Sequence, residues 1–349
     1  MPAVLRFAAP QTVEVTDAPS LPLQPGQVRV RTLHSGISAG TELTAYRGTN
    51  PYLTRTWDAE LRLFRDQDGA RLHYPLDGWG YSEVGLVTEV APDRCPPRDA
   101  VRVGDTVWGI WGHRAEGVLA ATALAGHALP AGVEPLKAAF VRVGAIALNA
   151  VLAADLGVGT TLVIFGQGVI GLLATRLAVL NGATVIAVDG VPSRRDAASA
   201  EGATAALEPA TDVALEVRRR TNGAGADVAI DLSGSYAALS AAIRTVGADG
   251  TVVAAGFYQG EAVALRLGEE FHHNRVQVVA SQIGSVPLRL TARWDVPRLQ
   301  RTIVDLLADG RLDPLPLVTD RFPVDRAAEA YRLLDSTPAD TLQVMLDFA

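Results

Sequence analysis

Cysteine and lysine are almost absent from this chain. Cys95 is the only cysteine in 349 residues, so the chain cannot form an internal disulfide or a zinc site built from several thiolates. Lys137 is the only lysine, which argues against Schiff-base chemistry and excludes a Tyr-x-x-x-Lys catalytic pair. The net charge of −7 argues against nucleic acid as a partner, because a protein that binds phosphate backbones needs a basic face.

Long uninterrupted apolar stretches are also missing. The longest, residues 161–180, contains Gln167, Arg176 and three glycines, so it reads better as a strand, a turn and a helix than as a membrane span. The first residues lack the basic and apolar regions of a signal peptide. We therefore expect a cytoplasmic protein without a membrane partner. With 48% hydrophobic and 20% charged residues, the chain can bury a large core.

The pattern of short segments predicts an α/β protein with two domains. Residues 1–142 hold alternating runs broken by Gly and Pro, such as 28–33 and 85–90, which predict a β-rich domain. Residues 143–281 alternate buried strands with helices, which predicts a doubly wound parallel sheet. Residues 282–349 predict two amphipathic helices and a last strand, and we expect them to return to the first domain.

A glycine-rich turn predicts a dinucleotide site. Gly166, Gly168 and Gly171 have the G-x-G-x-x-G spacing, with Val169 and Ile170 between the last two, and the motif follows a buried strand and opens a helix. The next strand ends at Asp189, whose carboxylate suits both ribose hydroxyls and repels a 2′-phosphate. This favours NAD over NADP, although Arg194 and Arg195 leave room for a 2′-phosphate. Two further strands end near Ser233 and Gly256, where the dinucleotide should lie.

Several motifs together resemble the medium-chain dehydrogenase/reductase superfamily over nearly the whole chain. Residues 36–42 (GISAGTE) are similar to the family's G-I-C-G-T-D, and 80–87 (GYSEVGLV) to its G-H-E-x-x-G-x-V. Residues 103–107 (VGDTV) resemble V-G-D-R-V. The resemblance implies a GroES-like β-rich catalytic domain, a Rossmann domain and a nicotinamide cofactor. It also implies that Gly256 and Phe257 contact the carboxamide, and that residues 275–280 form an edge strand through which a homodimer assembles.

The positions that bind zinc in this family hold other residues here. The resemblance places Ser38 (or Ala39), Tyr81 and Val141 at the three catalytic ligand positions, and none of these is a normal zinc ligand. We therefore predict no metal. The alternative is a zinc site rebuilt from other side chains, namely His34, His73, Glu42 or Glu83.

Two features of the first domain bear on specificity. The segment between the first two ligand positions is longer than in the zinc enzymes, and the added residues, 50–72, are a candidate substrate lid or a structural loop. Four of the five tryptophans, namely Trp57, Trp79, Trp108 and Trp111, lie in this domain. They predict either an aromatic pocket wall or an ordinary core.

Without zinc, oxidation of an alcohol needs a general base and hydrogen-bond donors from the protein. Tyr81, Ser38, Glu42 and His113 are the candidate catalytic residues, with Thr41 and Glu83 as further choices. The sequence thus predicts a zinc-independent, NAD-dependent oxidoreductase for a small secondary alcohol or ketone, polar or cyclic and sugar- or polyol-like. The alternatives are a zinc-free enoyl or quinone reductase using NAD(P)H, and a catalytically silent nucleotide-binding protein.

Overall fold

A computed structural model describes residues 1–66, 72–93 and 96–348, so Cys95 lies outside the described residues. The chain forms two compact units. Unit 1 contains Met1–Arg142 and the chain from Leu306 onward, and unit 2 contains Val143–Asp305. The sequence places the start of the C-terminal return at 282, whereas residues 282–305 lie in unit 2. The physical reason is packing, since the buried Ile303 side chain lies against Gly144, where an added Cβ would be only 2.9 Å away.

The first part of unit 1 is mostly strand, in agreement with the alternating pattern. Its elements are β1 (Ala3–Ala9), β2 (Thr12–Asp17), β3 (Gln27–Ile37), α1 (Thr41–Arg47), β4 (Arg55–Asp58), β5 (Leu63–Asp66), β6 (Leu76–Asp77), β7 (Glu83–Val90), β8 (Thr106–Gly109), β9 (Glu116–Ala120) and α2 (Pro135–Ala138). β1 pairs with β2 and β6 in a small antiparallel sheet.

The added segment contains an antiparallel hairpin, β4–β5, that the sequence pattern did not predict. Trp57 and Phe64 face each other across it, with ring centroids 5.1 Å apart, and Tyr52 packs on the same phenylalanine. Pairs of aromatic side chains across two strands stabilise such a ribbon. Residues 67–71 of the added segment lie outside the described residues.

Unit 2 is built around a parallel sheet. Its elements continue with α3 (Val141–Ala153), β10 (Thr161–Phe165), α4 (Val169–Leu180), β11 (Thr184–Val188), α5 (Pro192–Ala200), β12 (Ala205–Leu207), α6 (Val213–Arg220), β13 (Ala226–Asp231), α7 (Tyr236–Thr245), β14 (Val246–Ala254), β15 (Gln277–Ala280) and α8 (Val296–Ala308). The strand order is β12-β11-β10-β13-β14-β15, with every pair parallel. This is the Rossmann order, whose direction reverses between β10 and β13. The predicted doubly wound sheet is confirmed.

The last part of unit 1 adds β16 (Val318–Pro323), α9 (Ala327–Ser336) and β17 (Gln343–Asp347). β17 pairs with β3, which gives a six-stranded sheet in the order β16-β17-β3-β7-β8, with β9 also on β3. Helix α9 buries Tyr331 among Phe7 and Tyr46, at centroid distances of 5.1 and 5.5 Å. The return of the chain therefore completes the core behind β3 and α1.

Candidate active site

The glycine-rich turn in unit 2 has the geometry that a dinucleotide requires. Gly166 has a φ of +85°, and Gly171 lies so close to it that an added Cβ would sit 1.8 Å from the Gly166 carbonyl oxygen. Gly168 instead faces open space, with no atom within 4 Å of a Cβ, and serves as the N-cap of α4 without a side-chain cap. The open backbone and the helix N-terminus fit a pyrophosphate. Val169 and Ile170 form the first turn of that helix.

Asp189 follows β11, and its side chain contacts the same glycine-rich turn. Its two carboxylate oxygens accept hydrogen bonds from the backbone N–H groups of Gln167, at 2.7 Å, and Val191, at 2.8 Å. Arg195 donates to the backbone carbonyl of Asp189 at 2.8 Å, and Arg194 is partly buried beside it in α5. The carboxylate is therefore fixed at the strand end where an adenosine ribose would bind.

The ends of β13 and β14 come together beside the turn. An added Cβ on Gly256 would lie 2.4 Å from the backbone nitrogen of Gly234, so only glycine fits there. Ser233 donates its hydroxyl to Asp231, and Phe257 is 43% exposed. Asp231, which the sequence reasoning missed, also accepts from Tyr258, and burial raises the pKa of its carboxyl. A carboxylate that ends a buried Rossmann strand was the available signal.

Ser38 and Tyr81 form the accessible part of the candidate site in unit 1. The Tyr81 hydroxyl donates to Ser38 Oγ at 2.5 Å, and both residues are partly exposed. Ser38 lies directly after β3 and Tyr81 lies two residues before β7, and these strands pair antiparallel. Burial and the nearby Glu42 carboxylate raise the pKa of Tyr81 to about 12. The phenol is therefore a hydrogen-bond donor, not an anion, at neutral pH.

Glu42 and His113 lie behind this pair and have no exposed surface. Glu42 accepts from the backbone N–H of Ser38 at 3.1 Å, and its other oxygen is 2.8 Å from His113 Nε2. Neither side chain can reach a substrate directly. Tyr331 donates to the same carboxylate at 2.9 Å, a contact that the sequence could not reveal because α9 lies 289 positions away along the chain.

The ligand positions of the zinc enzymes do not fit zinc in this chain. A hydroxyl, a neutral phenol and the fully buried aliphatic Val141 stand where thiolate, imidazole or carboxylate would be needed. Within residues 1–66, 72–93 and 96–348, no group of three His, Cys, Asp or Glu side chains could hold a metal ion. His34, named above as an alternative ligand, pairs with Asp347 at 2.7 Å.

The four tryptophans of unit 1 do not form one pocket wall. Trp111 is buried in a core cluster with Val28 and Val30, and Trp79 packs against a different cluster around Phe7. Trp108 stacks on His127 at 3.8 Å, whereas Trp57 belongs to the β4–β5 hairpin. The interpretation as an aromatic wall is wrong, because the residues serve separate packing contacts.

Comparisons with known proteins agree with this fold. The family model described as zinc-binding dehydrogenase matches residues 169–300. D-guloside 3-dehydrogenase of Escherichia coli K12 is 29% identical over 348 residues, covering 97% of this chain and 98% of that protein. L-galactonate-5-dehydrogenase of the same strain is 30% identical over 206 residues, or 58% of this chain and 56% of that protein. The structure of 2R,3R-butanediol dehydrogenase from Bacillus subtilis has a TM-score of 0.80 at 21% identity, covering 99% of both chains.

Fold and site together define a two-unit oxidoreductase with a nicotinamide cofactor, and similar structures hold NADH or NADP. The matched family model and the relatives support the medium-chain dehydrogenase/reductase superfamily for this chain. Its relatives include sugar and polyol dehydrogenases. No helix of the described residues is long and apolar enough to cross a membrane.

Proposed function

We propose that this protein is a zinc-independent, NAD-dependent oxidoreductase that interconverts a secondary alcohol and a ketone on a sugar- or polyol-like substrate. The observation that carries this proposal is the hydrogen-bonded pair of hydroxyls, Tyr81 and Ser38, at two of the family's zinc positions. Glycoside and aldonate dehydrogenases among the relatives support a cyclic or polyhydroxylated substrate.

The pair of hydroxyls can manage the proton while hydride is transferred. When the dinucleotide is bound, its nicotinamide accepts or supplies the hydride. In the reductive direction, Tyr81 donates a hydrogen bond and then its proton to the oxygen of the carbonyl as that oxygen gains negative charge. In the oxidative direction, Tyr81 first loses its own proton to solvent, and the resulting phenolate oxygen then accepts the proton of the substrate hydroxyl as hydride leaves for the nicotinamide. Ser38 holds the phenol in place by accepting its hydrogen bond when substrate is absent.

The cofactor preference rests on Asp189. A carboxylate fixed at the end of β11 attracts ribose hydroxyls and repels a 2′-phosphate. Replacing Asp189 with alanine should therefore lower the ratio of kcat/KM for NAD to that for NADP by about tenfold or more. Asp196→Ala is the matched control, since it removes the same charge from an exposed position in α5. An unchanged ratio in Asp189→Ala would assign cofactor choice to Arg194 and Arg195.

A metal and substrate assay tests the function itself. Purified protein should contain zinc far below one ion per chain, and should oxidise glycosides or polyols with NAD after treatment with a chelator. Stoichiometric zinc whose removal abolishes turnover would refute the zinc-free mechanism. A clear preference for NADPH together with reduction of activated C=C bonds would favour the enoyl or quinone reductase alternative.

The edge strand of the Rossmann sheet supports a proposal for the quaternary structure. β15 ends the Rossmann sheet, and Val278 in it is 42% exposed. An unpaired edge of this kind offers backbone groups to a second copy of the chain, so we propose a homodimer.

A further inference from the structure

Five polar side chains without exposed surface meet behind the Tyr81–Ser38 pair. They come from β3, α1, β7, the loop before β9, and α9, and they are Ser35, Glu42, Glu83, His113 and Tyr331. Burying two carboxylates is costly unless each charge is paired and hydrogen-bonded. The arrangement of hydrogen bonds in this buried cluster therefore fixes its protonation state.

Glu42 lies at the centre of the buried cluster. One of its oxygens is 2.8 Å from His113 Nε2 and 2.9 Å from the hydroxyl of Tyr331, which donates to it. The other oxygen accepts from the backbone N–H of Ser38. Glu83 is satisfied separately by the backbone N–H groups of Trp111, at 2.8 Å, and Ser82, at 3.2 Å.

The Ser35 hydroxyl limits where the protons of the buried cluster can lie, because it contacts both His113 and Glu83. Its Oγ lies 2.5 Å from His113 Nδ1 and 3.1 Å from Glu83 Oε1, and its single hydroxyl hydrogen can serve only one of these two contacts. If His113 is an imidazolium, Nδ1–H donates to Ser35, Ser35 donates to Glu83, and Nε2–H donates to Glu42, so that every contact holds one hydrogen. With both carboxylates ionised, either neutral tautomer leaves one of these contacts without a hydrogen.

The buried cluster is connected to the reacting pair in two places. Glu42 holds the backbone of Ser38, the residue that accepts the hydrogen bond of Tyr81. Gly80, immediately before Tyr81, lies so close to the imidazole that an added Cβ would be 2.8 Å from His113 Cε1. Movement of His113 or Glu42 would therefore displace both hydroxyls.

We propose that His113 is a buried imidazolium that holds Glu42 and Glu83 together, and that Glu42, steadied by Tyr331, positions Tyr81 and sets its acidity. These are positioning residues, because none of them touches substrate or cofactor. This inference rests on the proposed function, in which Tyr81 is the proton donor.

The charged groups around Tyr81 set the direction in which its pKa should change when one of them is replaced. Glu42 and Arg142 are the charged groups that act on the phenol, and the Glu42 carboxylate raises its pKa whereas Arg142 lowers it. For His113, burial alone would lower the pKa, but the adjacent Glu42, with a further contribution from Glu83, raises it. Removing the charge of Glu42 should therefore make Tyr81 more acidic, while removing the hydroxyl of Tyr331 should not.

The first experiment uses the wild-type protein. Nitrogen-15 NMR of the six histidines, with His113→Gln used only to assign the signal, should show both ring nitrogens of His113 protonated at about pH 7.5, where an ordinary histidine is mostly neutral. A neutral His113 ring at that pH would overturn the proposal.

The second experiment follows the ionisation of Tyr81 by carbon-13 NMR of labelled tyrosine, with Tyr81→Phe for assignment. Glu42→Gln should lower the pKa of Tyr81 by about one unit or more, whereas Tyr331→Phe should leave it in place. Equal values in Glu42→Gln and wild type would overturn the proposal. If Glu42→Gln does not fold, the wild-type histidine spectrum decides. Neither readout needs substrate or cofactor, so their outcome is separate from that of the proposed function.

Discussion

Replacing Tyr81 with phenylalanine should lower kcat/KM by about 10²- to 10⁴-fold in both directions of the reaction. The substitution removes only the hydroxyl that donates to Ser38 and leaves the ring in place. If Tyr81 supplies the proton in the transition state, kcat should fall and KM should change little, since ground-state binding is retained. Steady-state kinetics on the glycoside or polyol found in the metal assay would measure both constants.

Tyr74→Phe is the matched control for this substitution. Tyr74 also lies in unit 1, and its hydroxyl donates to the backbone carbonyl of Ala45 rather than to a candidate reacting group. That variant should keep kcat/KM within a few-fold of wild type, because the lost hydroxyl contacts no candidate reacting group. Wild-type turnover in Tyr81→Phe, with normal dinucleotide binding, would remove Tyr81 from the reaction and leave it as a space-filling residue.

The pKa of Tyr81 also predicts a pH profile. Because kcat/KM reports groups of the free enzyme, a phenol of pKa about 12 is protonated throughout the working range. Reduction should therefore be insensitive to its ionisation near neutral pH, and oxidation should increase with pH.

The Rossmann unit could be predicted closely from the sequence because its signals are local. Continuous apolar runs predicted buried strands, and the strand expected over 184–188 and the helix over 169–180 have these bounds in the structure. Glycines at fixed spacing identified the turn proposed to bind the dinucleotide, and the reason is steric, since Gly171 has no room for a Cβ. Asp189 could be assigned to the end of a strand by its spacing alone.

The candidate catalytic site could be predicted only in part. Tyr81 and Ser38 occupy positions that motif similarity identifies, but their hydrogen bond depends on the pairing of β3 with β7. The contacts of Glu42 with His113 and Tyr331 join three segments that are far apart in the sequence. No sequence periodicity relates these segments, so the contacts could not be predicted. Burial then changes the role expected of Glu42 and His113, which have no exposed surface, so we propose that they support the Tyr81–Ser38 pair rather than contact the substrate.

Replacing His113 with glutamine should destabilise the fold by about 3–5 kcal/mol, because it leaves the buried Glu42 and Glu83 without a compensating positive charge. The effect should depend on pH. The pKa of His113 is raised in the folded state, so its contribution is fully present below about pH 6.5 and is lost as pH rises through the folded pKa. Urea unfolding of wild type should show stability falling by up to about 1.4 kcal/mol per pH unit in that window.

His127→Gln provides the contrasting control for that prediction. His127 stacks on Trp108, and burial lowers its pKa below the ordinary value. A histidine with a lowered folded pKa contributes stability above about pH 6.5 that is lost as pH falls, which is the opposite window. Burial also raises the pKa of Glu83, so the stability that its protonated form contributes is lost as pH rises from its ordinary value through the raised one, in both variants alike. Only His113→Gln should reduce the decline above pH 6.5, and an unchanged slope in that variant would mean that the histidine is neutral in the folded protein.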